Sequence, residues 1–397
     1  MDGFTSVRDP LHARVLVLED SATRLALCVI DQTSVFDDQI ARTRDILRWV
    51  CSVEPSHCLV VASHTFSAPH IMPPERVPEH DRAKNALLGK AVDNAVEQAA
   101  VEAERTMRPA RTGFGIGASR VNVQRDVPTP HGWWLGADDN GPVDGCVGVT
   151  RIEGEDGRPI AVLVNHAVQS SVMNGSVTQA GERQVTADLA GATSRRMEEA
   201  YGNGAVVLFL IGAAGDQAPC LTAVHTTVGK DGELRRTDAH EAGFALAEQL
   251  GERLADEAVR VGEAVRVGVP TVPLRVVNEQ VKVPAQNPPA DLHALRPTTR
   301  YDFTPDGMSE APVVVARVGD TVLVGVQAEL NACTGMAIRA ASPFPGTCVV
   351  TMVNGAAKYM ADARSYDRIT YEAMNSRYAK GAAETVTARI ADILRAL

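Results

Sequence analysis

The chain has 397 residues and a mass of 42.3 kDa, room for one large domain or a few small ones at about 150 residues each. Hydrophobic residues make up 45% and charged residues 22%, which excludes a disordered chain. The 39 Lys and Arg are outnumbered by 49 Asp and Glu, for a net charge of −10. Without a basic run, that balance argues against nucleic acid or an anionic membrane surface as partner.

In chain order, the start MDGFTSVRDPLHARVLVL has Asp2 and no basic flank before an apolar core, so it does not read as a signal peptide. Short apolar runs predict strands over Arg14–Leu18, Leu25–Ile30, Cys58–Ala62, Ile160–Val164, Val206–Ile211, Val313–Val318, Val322–Val326 and Cys348–Val353. Helices are predicted over Gln39–Val50, Asp81–Met107, Leu189–Tyr201, Ala239–Val261, Ala332–Ala341 and Ala382–Leu397. The alternation predicts an α/β fold of mixed sheet layers flanked by helices. The whole of residues 1–397 reads as a single catalytic domain with a possible sub-boundary near 262–285, inside a strand-like region from Ala264 to Val283.

The segment from Pro109 to Asp144, with six Gly and four Pro, and the segment from Pro284 to Pro305, with five Pro, read as long loops packed over a cleft. The longest strongly apolar stretch, Ala205 to Ala214, is too short to span a bilayer. The seven cysteines are odd in number and scattered. They read as reduced core thiols of a cytoplasmic protein.

Four sites share one feature: a residue able to bind a metal or move a proton follows an apolar strand-like run. They are His64 and His70 in LVVASHTFSAPH, His166 and Gln169 in IAVLVNHAVQSS, Glu329 in VLVGVQAEL, and Tyr359 in CVVTMVNGAAKY. Ligands of open α/β sheets bind beyond the carboxyl ends of strands, so these residues can converge. Each also has a plain reading: a histidine after a strand as a hydrogen-bonded structural residue, Glu329 and Asn331 preceding a helix as caps would, Tyr359 as packing, and Asp216 of LIGAAGDQAP as the tip of a tight turn. No GxSxG, P-loop, HExxH or paired CxxC occurs, and GFGIGAS lacks the setting of a dinucleotide site.

The order and spacing of several fragments resemble the neutral, nonlysosomal ceramidases, zinc-dependent amidases. The fragments are DPLHARVLVLED, SVEPSHCLVVASHTFSAP, NGPVDGCVGVTRIEGEDGRPIAVLVN, VTADLAG, LFLIGAAGDQAP, GVQAEL and VNGAAKYMADARSYDRITYEA. The resemblance implies one Zn2+, held by His64, Glu329 and Tyr359, which match the family's THTHSGP, PGE and NGYxGY segments. It also implies roles for Asp188 and Asp216 in lining the site, and for Asn122 and Arg125 in contacting substrate.

Two positions depart from the family. Phe66 stands where THTHSGP has its second histidine, and Gln169 stands where the family's NxxAxH segment has a zinc histidine. An amide oxygen is a weak neutral donor, so zinc affinity should fall or the metal differ. His166 or His70 can substitute; the odd offset between His166 and Gln169 requires the chain to bend there, and spacing does not choose between the two.

The reading expected from these residues is a hydrolase that uses metal-activated water on a C–N amide bond of a small soluble metabolite. The alternatives are an enzyme that forms an amide or lactam, and a degenerate binding protein. No membrane span is expected, and the sequence does not set the oligomeric state.

Overall fold

The computed structural model describes residues 2–268 and 273–397. Part of the expected sub-boundary and of the strand-like region after Ala264 falls at 269–272, outside the described residues.

Alternation within the strands sets the layers. In the strand Arg24–Ile30, Ala26, Cys28 and Ile30 pack with Leu47, Val96, Leu189 and Leu254 from four helices. Leu25, Leu27 and Val29 of the same strand face the opposite way, against Leu163, Leu208, Val314 and Leu323. Likewise Val313 and Val315 of the strand Pro305–Val318 meet Val386 and Ile390 of the helix Ala382–Ala396, while Val314 and Ala316 turn to the central layer. The result is helices, sheet, sheet, helices. Strands covered on both faces read as unbroken apolar runs, which is why the sequence locates them.

The first sheet layer contains two sheets. One has the order Ala13–Glu19, Arg24–Ile30, Cys58–Ala62, and the other Val206–Ile211, Pro159–His166, Cys146–Gly154, Ala110–Ala118. The facing sheet has the order Leu274–Gln286, Pro305–Val318, Thr321–Val326, Gly346–Val350. Each sheet contains one parallel pair: Arg24–Ile30 with Cys58–Ala62, Pro159–His166 with Val206–Ile211, and Thr321–Val326 with Gly346–Val350.

Two expectations need correction. Residues 109–144 are not loop: they form the strands Ala110–Ala118, Asn122–Thr129 and Gly132–Asp138. The alternate glycines of GFGIGAS let a helix lie close to the sheet. A Cβ at Gly113 would meet the Arg266 carbonyl oxygen at 2.6 Å, and one at Gly115 would meet Val261 at 2.8 Å, at the end of the helix Ala242–Ala264. The strand expected to reach Val353 stops at Val350. Beyond it Met352 and Asn354 take positive φ, and Asn354 bonds back to Val60.

The second expected loop is irregular between Gln286 and Pro305 apart from the short turn Leu292–Ala294. It packs Leu295, Tyr301 and Phe303 with Trp134, Tyr371 and Met374. All seven cysteines are free thiols, as expected. Among the described residues no helix is long and apolar enough to cross a membrane.

Candidate active site

The carboxyl ends of the parallel strands lead directly to Thr33, His64, Gln169, Asp216 and Glu329. His64 follows Cys58–Ala62 at φ +61°, a left-handed conformation costing about 1–3 kcal/mol in a non-glycine residue. Thr65 bridges Ser170, and the Phe66 amide donates to the Ser170 carbonyl at 3.1 Å, so the segments after His64 and Gln169 run side by side. Glu329 and Tyr359 are parallel neighbours in a two-residue pairing. Arg125 sits where the register between Asn122–Thr129 and Gly132–Asp138 slips, and its amide donates to the Asp216 carbonyl at 2.9 Å. Such bulges re-aim side chains.

These placements link five side chains in a buried chain of contacts. His64 Nδ1 bonds the Thr33 carbonyl at 2.5 Å, and a carbonyl can only accept, so Nδ1 carries the hydrogen. His64 Nε2 lies 3.2 Å from Glu329 Oε2 without hydrogen-bond alignment. The Gln169 amide nitrogen donates to that same Oε2 at 3.0 Å, and the Gln169 oxygen accepts from Arg125 Nη1 at 2.9 Å. Arg125 Nε donates to Glu372 Oε1 at 2.7 Å, and its guanidinium lies 5.3 Å from the centre of the Tyr359 ring. Arg125 Nη2 lies 2.5 Å from the same Glu372 oxygen without hydrogen-bond alignment. Half-buried Phe66 meets the His64 ring edge-on at 4.7 Å, and Tyr371 meets Tyr359 at 5.9 Å.

The charges tune one another. Burial raises the Glu329 carboxyl, but His64 and Arg125 outweigh it and hold it below its ordinary range. Burial pushes the Tyr359 phenol up, and Glu329 adds to this against Arg125, so the hydroxyl stays protonated. Burial alone would weaken Arg125, yet Tyr359, Glu372 and Glu329 keep its guanidinium charged. Burial and the adjacent Glu372 drive the Asp126 carboxyl well above its usual range. Burial lifts Asp216 to about 6 despite hydrogen bonds from Ala332 and Gln124.

Of the residues singled out from the sequence, His64, Phe66, Arg125, Gln169, Glu329 and Tyr359 come together. Asp216 lies behind Arg125, bonded through Gln124, and accepts from the Ala332 amide at 2.8 Å. It therefore caps the helix Ala332–Ala341, the role the plain reading gave to Glu329 or Asn331; the Asn331 side chain instead donates to Ser365.

The others lie apart. His166 faces the Cys146 carbonyl at 2.8 Å, in the neighbourhood of Asp144 and Arg339. His70 is paired with Asp2. Neither replaces Gln169, because His166 is turned to the Cys146 carbonyl and His70 to Asp2. The Asn122 amide donates to the Asp144 and Ala167 carbonyls, which holds it away from the His64 cluster. Asp188 accepts from the amides of Val172, Met173 and Leu189, clamping the segment that follows Gln169.

Sequence reasoning missed Glu372 and Asp126. Glu372 is fully buried on the short helix Tyr371–Met374. Its only trace in the sequence is its place within SYDRITYEA.

The expected zinc can be tested against this donor set. Two positions suit a metal: His64 Nε2 and Glu329 Oε2 stand about as far apart as two ligands on one tetrahedral ion with bonds of about 2.1 Å. The other two do not. Gln169 turns its NH2 toward Glu329 and spends its oxygen on Arg125, Tyr359 is held neutral, and a fixed guanidinium stands beside them. Among the described residues, no three His, Cys, Asp or Glu side chains are grouped to hold a metal. The set as a whole does not fit zinc.

No family model and no curated protein matches the sequence. Two solved structures are similar to the chain at 17% identity. One is a ceramidase complexed with C2, with a TM-score of 0.76 over 100% of this chain and 71% of that one. The other is the neutral ceramidase from Pseudomonas aeruginosa, with a TM-score of 0.71 over 96% of this chain and 68% of that one. The chain therefore has the fold of the neutral ceramidases.

Proposed function

We propose that this chain hydrolyses a C–N amide bond of a small substrate at the His64–Glu329–Arg125 cluster. One observation carries the reading: His64 Nε2, buried without an aligned hydrogen-bond partner, stands in one connected network with the buried Arg125 guanidinium. A buried unpaired polar group costs about 1–3 kcal/mol, a cost that a bound substrate would offset.

The roles follow from the donors. With Nδ1 tied to Thr33, His64 Nε2 takes a proton from water, and Glu329 stabilises the imidazolium that forms. The hydroxide adds to the amide carbon. The oxygen that gains charge faces the Arg125 guanidinium and takes a hydrogen bond from the protonated Tyr359 hydroxyl. The imidazolium then returns its proton to the leaving nitrogen, giving a carboxylic acid and an amine. The fold supports amide chemistry at the coarse level, since the similar structures are ceramidases. Cytoplasm suits seven unpaired thiols.

The test is turnover of a panel of small N-acyl amines in 18O-labelled water. One labelled oxygen in the product acid, lost with His64→Ala, is the expected result. Cleavage that survives His64→Ala unchanged would overturn the assignment. A second reading, amide or lactam formation, is favoured by Phe66, an apolar ring set against His64 that makes the site drier. Loss of one water from the substrate, with no label taken up, would establish that reading instead.

A further inference from the structure

We infer that Arg125 is the built-in cation of this site and that Gln169 is the residue that fixes it there and keeps a divalent ion out. The inference rests on the proposed amide chemistry for its purpose but on the donor geometry for its evidence.

Gln169 is bonded at both ends. Its oxygen, the one atom through which it can ligate a metal, accepts from Arg125 Nη1 at 2.9 Å, and its nitrogen donates to Glu329 Oε2 at 3.0 Å. A Glu329 oxygen that already receives this N–H has less to offer an ion. Arg125 is itself fixed by Glu372, with Nε at 2.7 Å and Nη2 2.5 Å from the same Oε1. The carboxyl groups of Glu372 and Asp126 interact directly, and burial beside Glu372 raises the Asp126 carboxyl well above its usual range.

A metal in this place would supply positive charge to polarise a carbonyl. The guanidinium supplies the same charge, and it cannot be deprotonated or chelated away. One cation against Glu329 and Glu372 leaves no surplus positive charge, so the group it receives is a neutral amide carbonyl whose oxygen gains charge only during reaction, rather than a carboxylate or phosphate.

The experiment is zinc titration by calorimetry, with metal analysis of protein purified without chelator, on wild type, Gln169→His and Gln169→His/His64→Ala. Wild type should take up no stoichiometric zinc, and Gln169→His should gain one equivalent that the added His64→Ala removes. The inference is overturned if wild type already holds one equivalent that His64→Ala abolishes. It is equally overturned if Gln169→His, shown folded by its melting curve, takes up none. Metal uptake is read without turnover, so a failure here is distinct from a failure of the amide panel.

Discussion

Two histidines in this molecule begin from nearly the same local design. His166 ends a buried parallel strand and His64 closely follows one, each bonds a main-chain carbonyl through Nδ1, and each leaves Nε2 without a hydrogen-bond partner. They differ in what arrives from elsewhere. Beside His166, Asp144 is already paired with Arg339 at 2.7 Å, and burial lowers the imidazole pKa, which favours a neutral ring. Beside His64, Glu329 comes within 3.2 Å from a distant segment, and Arg125 stands one amide further on. A strand-end histidine thus becomes a candidate base through its long-range neighbours, not through its own surroundings.

The largest expected difference between the two is in rate. His64→Ala should lower kcat/KM by about 10²–10⁴, the range for loss of a positioned acid–base group. His166→Gln should leave kcat/KM near wild type and lower stability by about 1 kcal/mol through the lost bond to Cys146. Equal losses of activity in the two variants would erase the distinction. Next in size, Arg125→Gln should reduce kcat by about 10²–10³ with a smaller change in KM, as for one lost oxyanion donor. A rise in KM alone would make Arg125 a binding residue.

The comparison sharpens further in stability. Asp216 is raised to about 6 from 3.8 by burial, so the folded state binds its proton more tightly than the unfolded chain. Its contribution is full below pH 4 and is lost as pH rises through about 6, a change on the order of 3 kcal/mol. Asp216→Asn should flatten that part of the stability-against-pH curve in urea titrations, and an unchanged slope would remove Asp216 from the account. The smallest effect expected is on the scaffold: Gly115→Ala should cost about 1–3 kcal/mol by overpacking against Val261, read as a lower melting temperature with kcat retained.

The strands and long helices were legible because their burial pattern is local. Arg24–Ile30, Cys58–Ala62 and Val206–Ile211 are covered on both faces and show this as continuous apolar runs. The stretch 109–144 misled because its glycines and prolines read as loop. In the strand Ala110–Ala118 the glycines serve helix packing, a reason that needs the helix some 140 residues later. Within the site, His64, Glu329 and Tyr359 were visible as strand-end residues and by resemblance. Glu372 was not, since a glutamate in a four-residue helix carries no local mark of burial. Nor could spacing show that Gln169 would turn its oxygen to Arg125.

The contacts that join the site span great lengths of chain: 160 residues between Gln169 and Glu329, and 247 between Arg125 and Glu372. During synthesis the ribosome must release Glu372 before the guanidinium has its anchor, by which time most of both sheet layers has emerged. Closing such long loops comes late and slowly. On refolding, the contacts of this site should therefore form after the bulk of the secondary structure.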